Sequence, residues 1–333
     1  MKIIELMRPE NLYAKIIKQR EVDGRSFYKK HDAGFIDVAC PACGRQGRPI
    51  FKKYGFTHKR CAYCSTLYCS PRPPDRLLEA YYRDFKAAKM WTELLLKADT
   101  QRKALQYAPR VEQIISVMRK SGLQRGSLAL DFGAGSGAFL LCLKKTGFFK
   151  EVMALDHSPE CLKACKKSGL KCFSGRIEDL GCQMPELISM NDVIEHIYDP
   201  ASLLKICFKA LKPGGFISIA TPNGEGFDFK ILKGKTGNIT PPEHLNYFNP
   251  GSLSLLLKRC GFKVMLVDTC GRLDVEIIAK AKQSGFALKK KNEYLDYLLG
   301  RDAGTLEDFQ KFLSGHGLSS HMLVLAVKPK GKT

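Results

Sequence analysis

The sequence predicts an α/β protein with a Rossmann-like, mostly parallel sheet, preceded by a small cysteine-rich ribbon. Three observations lead to this prediction. Beyond Gly122 short apolar runs alternate with helical segments, a glycine-rich turn follows the first of these runs, and two CxxC pairs precede them. The runs lie at 127–131, 151–156, 170–173, 186–190 and 216–220. Such βα alternation implies a parallel sheet covered by helices on both faces.

Length and composition agree with an ordinary globular protein. The 333 residues are enough for one α/β domain of about 200 residues and a smaller unit. Apolar residues make up 44% of the chain, and none of its apolar stretches approaches the roughly 18 residues that a membrane span needs. The opening MKIIELMRPENLYAKIIKQR lacks the apolar core of a signal peptide. We therefore expect a cytoplasmic protein without a transmembrane segment.

The chain carries a formal net charge of +21. This excess favours polyanionic partners such as RNA, an anionic surface or phosphate-bearing substrates, although a generally solvated basic surface is the preferred explanation. The charge does not indicate an oligomeric state.

Composition divides the chain into four segments. Residues 1–34 form a basic, weakly helical extension, and residues 35–72 are dense in Cys, Gly and Pro. The run PRPP at 71–74 forbids a helix and marks a boundary. Residues 73–122 have the spacing of helices and are expected to form a linker or a cover over the substrate. Residues 123–330 form the α/β domain, which ends with strand-like runs at 262–268 and 321–327.

Cys40, Cys43, Cys61 and Cys64 form two CxxC pairs separated by 17 residues. This spacing is typical of a tetrahedral zinc site with four thiolates, in which Gly44 can supply a turn with positive φ. A redox-active pair is the competing interpretation of one CxxC. With no open coordination position, the zinc is expected to be structural, and the nearby Cys69 is expected to be a bystander.

The segment ALDFGAGSGAFL places Asp131 at the end of a strand and then three glycines in a turn. Glycine allows a backbone to approach a ligand closely. Asp156 ends the next strand, where a carboxylate can accept the hydroxyls of a ribose. Read loosely, GAGSGA also fits an NAD fingerprint, so the turn alone does not exclude a dehydrogenase.

Six motifs in order make the sequence resemble the class I S-adenosylmethionine (SAM) dependent methyltransferases, in particular the group related to ubiquinone-biosynthesis O-methyltransferases. The motifs are ALDFGAGSGAFL, ALDHSPE, GRIEDL, NDVIEHIYDP, LKPGGFISIATPN and PPEHLNYFNPGSL. The resemblance implies a seven-stranded sheet whose last strand is antiparallel. The ribbon, LYCSPRP and the pair Tyr81 and Tyr82 also resemble a subgroup linked to saccharide or secondary-metabolite modification.

The same resemblance implies a set of cofactor contacts. Asp131, Gly133 and Gly135 are expected at the methionine end of SAM, and Asp156 at the ribose. The residues implied to flank the adenine or lie beneath the sulfonium are Ile177, Glu178, Met190 and Asn191.

A candidate catalytic group lies in two of these motifs. If NDVIEHI begins a helix, Asp192, Glu195 and His196 share one face of it. His244 and Glu243 lie in the Pro-rich segment TPPEHLNYF. Three roles remain open: a divalent metal held by Asp192, Glu195, His196 and His244, as the resemblance implies for related enzymes; a general base at Glu243 and His244; or a purely structural role.

The acceptor is not identified by the sequence. The fourth strand ends in SMND rather than in the NPPY-type tetrapeptide of amino-directed DNA methyltransferases, so we expect methylation of oxygen or carbon. The resemblance favours a small molecule, either a saccharide or a secondary metabolite. An RNA methyltransferase and a non-catalytic SAM-binding scaffold are the alternatives.

Overall fold

A computed structural model describes residues 3–7, 10–181, 183–283 and 292–331. Within these ranges it contains a four-stranded sheet at the ribbon and a seven-stranded sheet in the second part of the chain. None of the helices in these ranges is both long enough and apolar enough to cross a membrane.

The N-terminal part begins with a helix rather than a loose extension. Helix α1 spans Ile3–Met7 and α2 spans Glu10–His31, followed by a 3-10 turn at Asp32–Gly34. Helix α2 contacts helix α4 of the next segment and places Ile16 and Phe27 in the core. The segment predicted to be weakly helical therefore contains a long helix, α2, that packs onto the rest of the chain.

The ribbon sheet consists of three consecutive antiparallel strands and a fourth strand from a distant part of the chain. Strands β1, β2 and β3 span Gly47–Lys53, Phe56–Cys61 and Leu67–Cys69. The fourth strand, β9, spans Asn246–Tyr247 and pairs with β3 from the far part of the chain. The ribbon sheet is thus completed by the segment that carries His244.

A run of helices follows, as the spacing of apolar residues predicted for 73–122. Pro74 precedes the first of them, consistent with the boundary expected at PRPP. The run ends in a π-helical turn at Lys103–Tyr107 and helix α6. Its α-helices are α3 (Asp75–Asp84), α4 (Lys86–Lys97), α5 (Asp99–Arg102) and α6 (Ala108–Lys120).

The seven-stranded sheet confirms the predicted fold class. Its order is β10-β11-β8-β7-β4-β5-β6, and only the last strand, β11, runs antiparallel to its neighbours. The strands are β4 (Gly126–Phe132), β5 (Phe149–Leu155), β6 (Lys171–Phe173), β7 (Leu187–Asn191), β8 (Phe216–Pro222), β10 (Lys263–Asp268) and β11 (His321–Val327).

Helices cover this sheet on both faces, and two hydrophobic clusters lie between the helices and the strands. In the described part of the chain, 3-10 segments lie at Ile177–Leu180, at Lys233–Lys235 and, as noted, after α2. The remaining helices are α7 (Ala138–Lys145), α8 (Pro159–Lys167), α9 (Pro200–Ala210), α10 (Phe227–Leu232), α11 (Pro250–Arg259), α12 (Asp274–Gln283), α13 (Glu293–Leu299) and α14 (Ala303–Gly315).

Candidate active site

A cavity of about 1990 Å³ lies at the carboxyl ends of the parallel strands. Asp131, Asp156, Asn191 and Pro222 line it from the ends of four neighbouring strands, and the helices before β4 cover it. In open α/β sheets this edge is where ligands bind. The volume exceeds the 300 to 1,000 Å³ of an ordinary small-ligand pocket, so the cavity has room for more than one ligand.

The glycine turn after β4 opens onto this cavity. Gly133 and Gly135 have φ values of +73° and +55°. A Cβ on Gly133 would lie 2.5 Å from Val193 Cγ2, whereas one on Gly135 would meet nothing within 4 Å. Gly133 is thus required for packing, and Gly135 leaves the turn open toward the cavity.

Asp131 is nearly fully buried at the floor of the cavity. Its Oδ1 accepts hydrogen bonds from Ser189 Oγ at 2.7 Å and from Asn191 Nδ2 at 3.2 Å. Burial raises the pKa of Asp131 to about 7. This carboxylate therefore gains from a cationic partner arriving in the cavity.

Arg110 is a residue of this region that the sequence reasoning missed. Its Nη1 donates to Asn191 Oδ1 at 2.6 Å, while its buried Nε has no partner among the described residues. The signal was available: Arg110 interrupts the apolar face that Val111, Ile114 and Met118 form on α6. A buried guanidinium with a free donor favours an anionic ligand.

Asp156 follows β5 and is held by backbone donors. Its Oδ2 accepts from Gly135 N and its Oδ1 from Ser158 N, each at 2.8 Å. These bonds fix the carboxylate beside the glycine turn, on the wall of the cavity.

Three other residues implied by the resemblance lie away from the cavity lining. Ile177 and Met190 are buried in the core of the sheet, and the Glu178 carboxylate pairs with Arg176 at 2.8 Å. Their contacts with a cofactor therefore stay predictions.

The helix that would give Asp192, Glu195 and His196 a shared face does not form at NDVIEHI. Residues 194–196 form a turn, and the helix begins only at Pro200, capped by Asp199. Asp192 has a φ of +57°, and the Glu195 carbonyl accepts from Leu245 N and Asn246 N instead of from a helical N–H. Pro200 lacks the N–H that His196 O would need, so a helix begun at Asp192 could not continue into α9.

The turn nevertheless brings three of the predicted residues together. One ligand atom each of Glu195, His196 and His244 lies within 4.8 Å of the others. The rings of His196 and His244 are 4.7 Å apart and nearly perpendicular. Non-helical geometry thus achieves a grouping that the sequence attributed to a helix face.

Both imidazoles are oriented by backbone carbonyls. His196 Nδ1 lies 2.8 Å from Glu243 O and 2.8 Å from Tyr82 Oη, whose own O–H donates to Glu243 O. His244 Nδ1 lies 2.9 Å from Asn238 O. Because a carbonyl only accepts, each Nδ1 carries the proton and each Nε2 keeps its lone pair. Burial lowers the pKa of both histidines, which keeps the rings neutral.

Glu195 lies fully buried beside them. One carboxylate oxygen accepts from Thr221 Oγ1 at 2.9 Å, and Oε1 has no partner in the described part of the chain. Burial, reinforced by the Asp192 charge, raises the pKa of Glu195 to about 8. An unsatisfied buried oxygen requires a proton or a cation.

Asp192 is not part of this cluster. Its Oδ1 lies 2.7 Å from His321 Nε2 and its Oδ2 lies 3.6 Å from Arg102 Nη2. Burial disfavours the charged imidazolium, but the Asp192 carboxylate outweighs it and raises the pKa of His321 to about 9. The structure therefore assembles three of the four predicted metal ligands and gives the fourth another partner.

Glu243 is also paired elsewhere. Its two oxygens accept from Arg20 Nε at 3.1 Å and Nη2 at 2.7 Å, and Tyr81 Oη donates to it at 3.3 Å. This ion pair is buried on both sides. Glu243 thus anchors the loop that holds His244, and its role as a base stays a prediction. Arg20 could not be recognised from a basic segment without a motif.

In the ribbon, one ligand atom from each of the four predicted cysteines lies within 4.8 Å of the others. Cys40 Sγ is 3.5 Å from Cys64 Sγ, and Cys43 Sγ is 3.4 Å from Cys61 Sγ. Gly44 has the expected positive φ of +77°. Cys69 Sγ lies apart, 3.3 Å from His58 Nε2.

The methyltransferase domain family matches residues 99–267, half of the chain. The ubiquinone biosynthesis O-methyltransferase of Xylella fastidiosa (strain 9a5c) is 34% identical over 109 residues, which cover 29% of this chain and 43% of that protein. The enzyme of the same name from Xanthomonas euvesicatoria pv. vesicatoria (strain 85-10) is 29% identical over 170 residues, 44% of this chain and 66% of that protein. The chain thus spans under half of the first of these relatives.

Two solved structures share the fold. The methyltransferase in complex with the Trm112 activator of Haloferax volcanii has a TM-score of 0.50 at 15% identity, over 74% of this chain and 97% of that one. The plantazolicin methyltransferase BpumL, solved with SAH, has the same TM-score and identity over 76% of this chain and 94% of that one. At this identity the likeness concerns the fold alone.

Proposed function

This chain belongs to the methyltransferase domain family, and we propose that it transfers a methyl group from SAM to an oxygen or carbon atom of a small molecule. The observation that carries the proposal is the shared cavity: the glycine turn and Asp156 line one part of it, and His196 and His244 line another. A donor and an acceptor bound there would be held side by side, which is the main requirement of methyl transfer.

The residues present fit SAM. Asp131 offers a carboxylate in need of a cation, which suits the amino group of the methionine moiety, and the unpartnered Arg110 Nε suits its carboxylate. Asp156, beside the open turn at Gly135, would accept the ribose hydroxyls. When bound, SAM supplies a methyl group on a positively charged sulfur, so the protein needs only to align the acceptor and remove its proton.

His244 is the residue we assign to that proton. Its Nδ1–H is held by Asn238 O, which leaves the Nε2 lone pair for the acceptor. The low pKa of the buried ring keeps this lone pair available at neutral pH. Arg20, Glu243 and Tyr81 hold the loop in place.

A divalent cation at Glu195, His196 and His244 is a second role that a specific observation favours. Glu195, with its orphaned Oε1, and one ring nitrogen of each histidine form a suitable donor set, and each histidine donates an N–H to a carbonyl, as metal-ligating histidines do. A cation there would lower the pKa of an acceptor hydroxyl.

The ribbon is proposed to hold one structural zinc at Cys40, Cys43, Cys61 and Cys64. Four convergent thiols fit zinc. Burial opposes ionisation, but backbone N–H groups of Cys64 and Tyr63 lower the pKa of Cys61 to about 7, which favours the thiolate that zinc requires.

The helices before β4, which cover the cavity, favour a small acceptor over a polymer. Tyr13, Tyr82, Trp91, Leu95 and Leu105 bring aromatic and apolar surface to the cavity wall, as in sites for small molecules with apolar parts. A saccharide with an apolar substituent or an aromatic secondary metabolite is the acceptor class that fits.

The proposal is tested by incubating the protein with radiolabelled SAM and fractions of nucleotide sugars, hydroxylated aromatic metabolites and total RNA. We expect label in a small-molecule fraction, lost in an Asp131→Asn/Asp156→Asn variant. Label in the RNA would overturn the acceptor class, and failure of SAM to bind by calorimetry would overturn the function itself.

Manganese titration followed by electron paramagnetic resonance tests the cation without needing the acceptor. We expect one site per chain, absent from Glu195→Gln and His196→Ala variants and retained in Asp192→Asn. Loss of binding only in the Asp192 variant would refute the three-residue site.

A further inference from the structure

A cysteine, a histidine and an aspartate come together in the cavity apart from the Glu195, His196 and His244 cluster. Cys270 follows strand β10, His321 is the first residue of β11, and Asp192 follows β7; all three line the cavity. His321 Nε2 lies 2.7 Å from Asp192 Oδ1. The antiparallel pairing of Asp268 with Leu323 runs toward Cys270 and His321, and a Cβ on Gly271 would lie 3.2 Å from His321 N, so Cys270 lies beside His321. The proposed methyl transfer uses neither Cys270 nor His321.

The charges around Cys270 favour its thiolate. Burial and Asp268 oppose ionisation, whereas the adjacent His321 imidazolium and the charge of Arg110 favour it, and together they lower the pKa of Cys270. Asp192 keeps His321 protonated and so sustains this effect.

Other cysteines outside the ribbon differ from Cys270. Burial raises the pKa values of Cys142, Cys161, Cys165, Cys172, Cys207 and Cys260. Unlike these cysteines, Cys270 combines a place on the cavity wall with two nearby cations, Arg110 and His321, that stabilise a thiolate. It is also partly exposed. Reactive cysteines occupy such electropositive, accessible surroundings.

We propose that Cys270 is a nucleophilic site of the cavity, at which α,β-unsaturated carbonyl compounds form thioethers. The Cys270 sulfur attacks the β-carbon and forms the S–C bond while the carbon–carbon π bond breaks. Its electron pair moves to the enolate, whose α-carbon receives the proton of the His321 imidazolium. His321 regains a proton from solvent, and no oxidant or leaving group is needed.

This site lies beside Asn191 and Asp192, so an adduct would occupy part of the cavity available to ligands. The inference goes beyond the proposed methyl transfer and does not depend on it, because thioether formation is measured in the absence of SAM.

The test is limited labelling of the full chain with N-ethylmaleimide at pH 6, followed by peptide mass spectrometry. Cys270 should react at least about tenfold faster than Cys172, a partly exposed thiol that lacks an imidazolium partner, because the rate follows the thiolate fraction. A Cys270→Ser variant confirms the assignment, and reading single peptides separates Cys270 from the ribbon cysteines.

His321→Asn provides the second arm. It should slow labelling of Cys270 by about tenfold at pH 6, where the cation matters most, and leave Cys172 unchanged. Circular dichroism verifies that the variant is folded; should it not be, Asp192→Asn, which weakens the imidazolium without touching the thiol, should slow Cys270 in the same direction. Equal rates at Cys270 and Cys172 in the wild-type chain, or an unchanged Cys270 rate in folded His321→Asn, would overturn the proposal.

Discussion

The cofactor side and the acceptor side of the cavity are built differently. On the cofactor side, the glycine turn, Asp156 and Asn191 all lie within about 60 consecutive residues. These residues follow successive strands of the repeated βαβ pattern. On the acceptor side, Arg20, His196 and Glu243 come from three distant parts of the chain. A ligand site made by local structure should tolerate damage elsewhere, whereas one made by long-range contacts should not.

The largest expected effect is on the ribbon, whose sheet is completed by the segment that follows His244. A Cys43→Ser/Cys61→Ser variant should lose about one zinc per chain and unfold the ribbon, because so small a unit has little core of its own. Elemental analysis and hydrogen exchange measure the two losses. SAM affinity should change by no more than about threefold, since the cofactor contacts are elsewhere.

Cys142→Ser/Cys172→Ser is the matched control and should keep the zinc. A ribbon that stays protected from exchange without metal would contradict the zinc assignment.

The next effect concerns the ion pair between the N-terminal helix and the loop. Arg20→Met leaves the Glu243 carboxylate buried without its partner, so the free energy of unfolding should fall by about 3 to 5 kcal/mol. Urea denaturation measures this. Adding Glu243→Gln should restore part of the loss, because the uncompensated charge is then gone.

Arg25→Met removes an exposed pair with Glu21 on the same helix and should cost less than about 1 kcal/mol. Equal losses in the free energy of unfolding for the two arginine variants would mean that the buried pair stabilises the fold no more than the exposed pair.

His244→Ala separates the two sides kinetically. The rate of methyl transfer should fall by about 100-fold, the usual scale for a general base, while the dissociation constant of SAM stays the same. Steady-state rates and calorimetry measure the two quantities. Sensitivity of the wild-type rate to EDTA would assign His244 to a cation instead, and full activity of His244→Ala would leave it a structural residue.

The smallest effect is expected on the cofactor side. Asp156→Ala should weaken SAM binding about tenfold, or about 1.4 kcal/mol, for the loss of charge-assisted hydrogen bonds. Glu151→Ala, on the surface of the same strand, is the control and should bind SAM normally. Unchanged affinity in Asp156→Ala would remove the ribose assignment.

The success of sequence reasoning follows the same division. The seven strands were predicted to within about two residues, since apolar runs and glycine turns are local signals. The turn at Glu195 was mistaken for a helix because its carbonyl bonds to Leu245 and Asn246, 50 residues away. No local pattern contains such a bond.

The anchor of the acceptor side and the separate Cys270 site were hidden for the same reason. Arg20 looked like one of many basic residues in a charged segment, and Cys270 like one of 13 scattered cysteines. The role of each depends on a partner more than 50 residues away along the chain. The partner is Glu243 for Arg20 and His321 for Cys270. Arg110 differs, because a charged residue on an apolar helix face is visible in the sequence itself.

The pairing of strand β9 with the ribbon strand β3 has a consequence for protein engineering. A ribbon cut out at residues 35–72 would leave the Leu67–Cys69 edge without the bonds it now makes to Tyr247, Asn246 and the Leu245 carbonyl. Open strand edges invite pairing with other chains. A chimera that transplants the ribbon onto another scaffold should therefore carry residues 243–249 with it, and one that omits them is expected to aggregate.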